Sequence, residues 1–212
     1  MIEMAKRGIR EERRELIMEA VETMMSRNGG VTKAAELGTL GLDYRRIQAL
    51  VRDGYLVKVR NGYYALKMRN IPEEERILAL FPDGVLTMES ALHAYGYLDA
   101  KPFEWTIAVD KNTSKSRFHL DFPAVHPYYT EPEVLSLGVT MIPFGEGQMH
   151  IYEKERLICD IFKYEERIQK ETLKDAMRGF LGEKNIDVMK LMEYARLRKV
   201  LNKVHSRLGV WM

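Results

Sequence analysis

Arg45, Gln48, Ala49 and Arg52 lie three, four and seven positions apart, the spacing of one face of a helix. Ile47, Leu50 and Val51, with Tyr44 at their edge, fall on the opposite face, and Arg46 flanks the polar one. Such a polar face suits one chemistry in particular. Arginine donates two N–H groups to O6 and N7 of guanine, and glutamine pairs through its amide with N6 and N7 of adenine. Ala49 keeps the middle of the face low, which permits close approach to a base edge. Taken alone, a basic face of this kind is the solvated side of an amphipathic helix. Its neighbours argue for more. Thr32 and Lys33 stand at the start of a preceding short helix, where free backbone N–H groups favour phosphate. Lys58, Arg60, Asn61 and Tyr63 belong to a ribbon that follows, with Arg60 placed to enter a minor groove or lie along the backbone.

Catalytic chemistry is poorly supplied by comparison. His93, His119, His126, His150 and His205 form no His-x-His, His-x₃-His or Cys-x₂-Cys pattern, so no metal site is expected. His119 and Asp121 share a face if their segment is extended, with His126 nearby, but surface or packing roles are favoured. Ser90 and His93 are one helical turn apart, and nothing in the sequence activates the serine, so a cap or local hydrogen bond is expected. Gly145-Glu146-Gly147 reads as a hairpin turn rather than a phosphate loop. Asp160 either pairs weakly with Lys163 or is a buried anion held by an arginine from another element. Cys159, the single cysteine, reads as a small buried hydrophobe. These residues predict no enzyme and no cofactor.

The elements that must position the polar face follow from periodicity and punctuation. Leu16, Ile17, Ala20, Val21, Met24 and Met25 recur at helical spacing within 11–27, and Asn28-Gly29-Gly30 ends that helix. Thr32 can cap a short helix over Lys33–Leu37, and Gly38–Gly41 makes a turn. Asp43 caps the next helix, which runs to about Asp53, and Leu42 and Ile47 can form a hydrophobic staple. Gly54 stops it. Tyr55–Val59 and Tyr63–Leu66 are strand-like, joined through Arg60-Asn61-Gly62, and Asn-Gly is a strong hairpin signal. This is the ground plan of a winged helix-turn-helix. Lys67–Pro72 is the expected linker. Beyond it the pattern predicts helices over 73–80 and Thr87–Tyr97, a strand over Trp105–Val109 and a polar loop over Asp110–Lys115. Strands over Arg117–Tyr129, Val139–Phe144 and Gln148–Tyr152 follow, then helices over 153–163, about 171–181 and 186–208, the last broken in two. The expected fold is α+β: a winged helix-turn-helix over 1–69, then a mixed domain with a helical tail over 73–212.

Composition bounds these expectations. The chain has 212 residues, 46% hydrophobic and 30% charged, enough for one large domain or two small ones. No apolar run reaches membrane-spanning length, and the start, MIEMAKRGIREERREL, lacks the apolar core and cleavage site of a signal peptide. One cysteine allows no disulfide within the chain and fits the cytoplasm. The net charge of +2 is unevenly placed: +5 over 1–69, −7 over 70–152 and +4 over 153–212. A basic end can sit on nucleic acid, and an acidic middle can face a basic protein or water. In the tail, Lys190, Arg196, Arg198, Lys199, Lys203 and Arg207 are either solvated charge on a packed helix, an auxiliary phosphate contact, or a surface for an acidic partner.

Several stretches resemble one family. GGVTKAAELGTLGLDYRRIQALVRDGYLVKVRNGYYAL looks like the N-terminal winged helix of the AbiEi family, the antitoxins of AbiE-type (type IV) toxin–antitoxin systems. VLTMESALHAYGYLD resembles a serine- and alanine-bearing helix of that family, and HIYEKERLICDIFKYEERIQKETLKDAMRGFL its tyrosine–glutamate–aspartate stretch, with Leu157 where the family often has threonine. DVMKLMEYARLRKVLNKVHSRLGVWM resembles the closing helices of its longer members. The resemblance covers nearly the whole chain. It implies a repressor that binds an inverted repeat in double-stranded DNA of its own promoter, as a monomer on each half-site or as a dimer. It also implies an antitoxin that counters a co-encoded nucleotidyltransferase toxin, with or without a stable complex, through the region after Pro72. DNA contact would fall on Arg45, Arg46, Gln48, Arg52, Arg60 and Asn61. Without the resemblance, the residues equally allow a winged-helix transcription factor whose second domain senses a small ligand or a protein.

Overall fold

The computed structural model describes residues 2–67, 71–120 and 122–209, and of residues 2–11 the backbone only. It is mixed α+β with two sheets and closes in helices. The chain divides into two compact units. The first holds Met1–Pro82 with Leu120–Phe122 and Phe144–Gly147, and the second holds the remainder. Residues 73–82, which follow the expected linker, therefore group with the first unit. Residues 68–70 of that linker lie outside the described residues.

In the first unit, α1 (Ile2–Arg27) leads into β1 (Val31–Lys33), α2 (Ala34–Thr39), α3 (Tyr44–Arg52), β2 (Leu56–Arg60), β3 (Tyr63–Leu66) and α4 (Glu73–Leu80). The three strands form an antiparallel sheet in the order β1-β3-β2. α1 begins nine residues before its expected start at 11, while its core-facing part, from Ile17 to Met25, is the part that the apolar periodicity marks. Val21 and Met25 from α1, Leu37 from α2, Leu42, Ile47 and Leu50 around α3, and Leu56, Tyr64 and Leu66 from the sheet make one core. Burying such side chains contributes about 1.5–3 kcal/mol each. Asp43 caps α3 as its sequence predicts, accepting from the Arg46 N–H at 2.8 Å. Gly62, with φ 76°, turns the β2–β3 hairpin in the left-handed conformation that an Asn-Gly turn needs. α4 buries Ile77 and Leu80, and Phe81 after it is fully buried.

β1 corrects one reading. Thr32, which by sequence can cap a helix, lies instead in the strand, paired with Tyr64. α2 starts one residue after Lys33, whose N–H donates to Glu36 Oε2 at 3.0 Å. A three-residue strand is too short to announce itself by alternation, and Thr, Val and Lys suit a strand as well as a helix start.

The second unit is built on a five-stranded sheet in the order β6-β5-β4-β8-β7: β4 (Val85–Leu86), β5 (Trp105–Asp110), β6 (Val125–Thr130), β7 (Val139–Phe144) and β8 (Gly147–Tyr152). β4 runs antiparallel to β5 and parallel to β8, and β5 is parallel to β6. Its helices are α5 (Met88–Ala94), α6 (Pro132–Leu135), α7 (Lys154–Lys163), α8 (Lys170–Leu181), α9 (Val188–Leu197) and α10 (Leu201–Leu208). The strand expected over Arg117–Tyr129 is instead a 3₁₀ turn, Lys115–Phe118, followed by β6. His119 thus sits at the end of that turn rather than on a strand face, and Asp121 lies outside the described residues. Ser90 is spent on structure: its hydroxyl accepts from the Thr106 N–H at 2.7 Å, and its own N–H donates to Thr106 Oγ1.

Candidate nucleic-acid interface

α3 turns its two faces as its sequence spacing requires. Ile47 and Leu50 are buried, whereas Arg45, Arg46 and Arg52 are exposed and Gln48 and Ala49 are half-buried. Arg46 folds back along its own cap, donating through Nη1 to the Gly41 carbonyl at 2.7 Å. It acts as a brace for the loop before α3 more than as a free cation. Gln48 is tied to the sheet, its Nε2 donating to the Tyr64 hydroxyl at 3.2 Å. Arg45 and Arg52 extend into solvent at opposite ends of the same face, and Ala49 between them leaves it flat.

The hairpin and the start of α2 meet. The Ala34 N–H donates to the Gly62 carbonyl at 2.7 Å, and Lys33 pairs across the sheet with Tyr63. The Lys33 ammonium stands 6.0 Å from the Tyr63 ring centre, so these two form one local group, with Asn61 exposed at the hairpin turn and Lys58 exposed further along β2. Thr32 does not join them. It is 1% exposed and its hydroxyl accepts from Asn28 Nδ2, so it cannot reach a phosphate.

Arg60 departs from its expected place. Its guanidinium lies 3.8 Å from the Tyr63 ring centre, and Nη2 donates to the Leu80 carbonyl at the end of α4 at 3.4 Å. Stacking and a carbonyl partner anchor it within the unit. Sequence spacing placed Arg60 at the hairpin tip but gave no signal that α4, twenty residues on, would supply an acceptor.

The basic tail belongs to the second unit and is largely engaged there. Arg198 is 3% exposed and donates through Nε to Asp160 Oδ1 at 2.6 Å, with Arg156 on the other carboxylate oxygen. An auxiliary DNA or partner contact by Arg198 is therefore excluded by burial. Burial works against its charge, and the Asp160 carboxylate more than offsets this, holding the guanidinium above its ordinary range. Lys203 donates to the Phe162 carbonyl at 2.9 Å and pairs with Glu165 at 2.8 Å, closing the end of α7. Arg207 also approaches Glu165, at 3.6 Å, and Lys190 pairs with Glu153 at 2.9 Å. Burial alone would raise the Glu153 carboxyl, but hydrogen bonds from Tyr194 and Lys190 lower it. Lys199 remains exposed, at φ 60° in the turn between α9 and α10. Arg196 is exposed as well, so the tail offers Arg196 and Lys199 as contacts, not a continuous basic surface.

Geometry thus gathers a shortened set, Lys33, Arg45, Gln48, Arg52, Lys58, Asn61 and Tyr63, at the end of β1, on α3 and on the hairpin of one unit. Compared with known protein families and with curated proteins, the chain matches no family model and no relative.

Proposed function

We propose that the first unit is a winged helix-turn-helix that binds double-stranded DNA, with α3 in the major groove and the β2–β3 hairpin as the wing. One observation carries this reading: a capped amphipathic helix whose exposed face bears Arg45, Gln48, Ala49 and Arg52 is followed directly by an Asn-Gly hairpin in a β1-β3-β2 sheet. An arginine at each end of a face with a low centre suits a groove that carries base edges in its floor and phosphates at its rims. The net charge of +5 over 1–69 supplies the non-specific attraction.

The resemblance to AbiEi antitoxins extends the proposal. On that reading the chain represses its own toxin–antitoxin operon from an inverted repeat. It also counters a nucleotidyltransferase toxin encoded beside it through the region after Pro72.

Both parts are open to test. Fluorescence anisotropy with duplex DNA from upstream of its own gene is expected to show saturable binding. Arg45→Ala and Arg52→Ala should each weaken specific binding by about 1–3 kcal/mol if they contact bases. Undiminished affinity in both variants would remove α3 from the interface. Co-expression with an adjacent nucleotidyltransferase-like gene should restore growth, and growth arrest despite soluble protein would contradict the antitoxin reading.

A further inference from the structure

Tyr64 lies on β3 with its ring in the core of the first unit and is 3% exposed. Its hydroxyl sits beneath the polar face of α3, where Gln48 Nε2 donates to it at 3.2 Å. A buried phenol hydroxyl needs a partner, and Gln48 supplies one. The same bond constrains Gln48. A primary amide has two N–H donors and one carbonyl acceptor. Adenine reading uses the N–H syn to Oε1, so it requires that the anti N–H be the one directed down at Tyr64, which leaves the syn N–H and Oε1 side by side at the outer edge of the amide.

We propose that Tyr64 is a positioning residue for base reading: its hydroxyl orients the Gln48 amide so that Gln48 selects an A·T pair in the major groove. Adenine offers N7 as an acceptor and N6–H as a donor, the complement of an adjacent N–H and C=O. Guanine offers two acceptors there, and Oε1 would face O6 without a proton between them. Tyr64 touches no base itself. It lowers the conformational cost of ordering a side chain that otherwise samples several rotamers. This inference rests on the reading of the first unit as a DNA-binding module.

The test is selection from a pool of randomised duplexes by the full chain and by Tyr64→Phe, Gln48→Ala and the double variant, with base frequencies read from the bound fraction. The wild-type chain should enrich a motif in which one position is A·T. Gln48→Ala should lose about tenfold of the preference at that position. Tyr64→Phe should lose roughly threefold there, with preferences at other positions kept. The double variant should match Gln48→Ala. A merely structural bond predicts a different pattern: lower melting temperature in Gln48→Ala, recovery in the double variant, and no change in base preference. Full retention of the A·T preference in Tyr64→Phe, or selection of G·C at the position that responds to Gln48, would overturn the proposal while leaving DNA binding intact. Enrichment of no motif by the wild-type chain would overturn both.

Discussion

Asp160 shows most clearly how single residues divide the work of this protein. It is almost fully buried between Arg156 and Arg198, and Arg156 is itself stacked 4.2 Å from the Tyr152 ring centre and donates to the Val134 carbonyl. Two guanidiniums and one carboxylate out of water are tolerable only with this density of partners. Asp160→Asn removes the anion and leaves both cations in place. It is expected to cost about 3–5 kcal/mol of stability, read as a lower urea midpoint, and an unchanged midpoint would contradict a structural triad. The sequence reading of Asp160 as an anion held by an arginine from another element agrees with this geometry, whereas its reading of Arg198 as a surface contact does not. The two residues are 38 positions apart, and nothing local at Arg198 marks it as buried. Its exposed neighbour Lys199 has the same charge and similar sequence surroundings. Only the turn between α9 and α10 separates their fates.

At the scale of elements, local rules worked where one element carries its own signals. α3 has its cap, its staple and its period, and its bounds lie within a residue or two of those its sequence predicts. The β2–β3 hairpin was legible for the same reason. β1 and the two-residue β4 were not, because strands this short exist through their partners, Tyr63–Ala65 for one and β5 and β8 for the other. Close approach between elements is equally illegible. Gly179 on α8 packs against the Tyr97 ring so tightly that a β-carbon there would collide with it, and Tyr97 is held by its hydrogen bond to Glu183. Gly179→Ala, a change that ordinarily strengthens a helix, is therefore expected to destabilise the protein by about 1–3 kcal/mol. A raised thermal midpoint in this variant would show that the ring moves aside freely. The candidate site has the same dependence on partners. Arg45 and Arg52 were placed by α3 alone, but Arg60 was claimed by α4 and Thr32 by β1.

For the whole molecule, charge follows segments of the sequence rather than the two units, each of which carries a net charge of about +1. The positive N-terminal segment supplies the candidate interface, and the acidic segment, −7 over 70–152, contributes all five strands of the second sheet. Placement of Lys190, Arg198, Lys203 and Arg207 in ion pairs within the second unit leaves α3 and the hairpin as the main surface proposed for DNA. A module of this size presents few base contacts, so strong discrimination on a palindrome calls for two copies, one per half-site. Hydroxyl-radical footprinting of the DNA upstream of its own gene tests this most directly. Two protected half-sites of inverted symmetry are expected, with centres about one helical turn of DNA or a multiple of it apart, and loss of that pattern in Arg45→Ala and Arg52→Ala. Absence of protection, or protection that survives both substitutions, would contradict this reading.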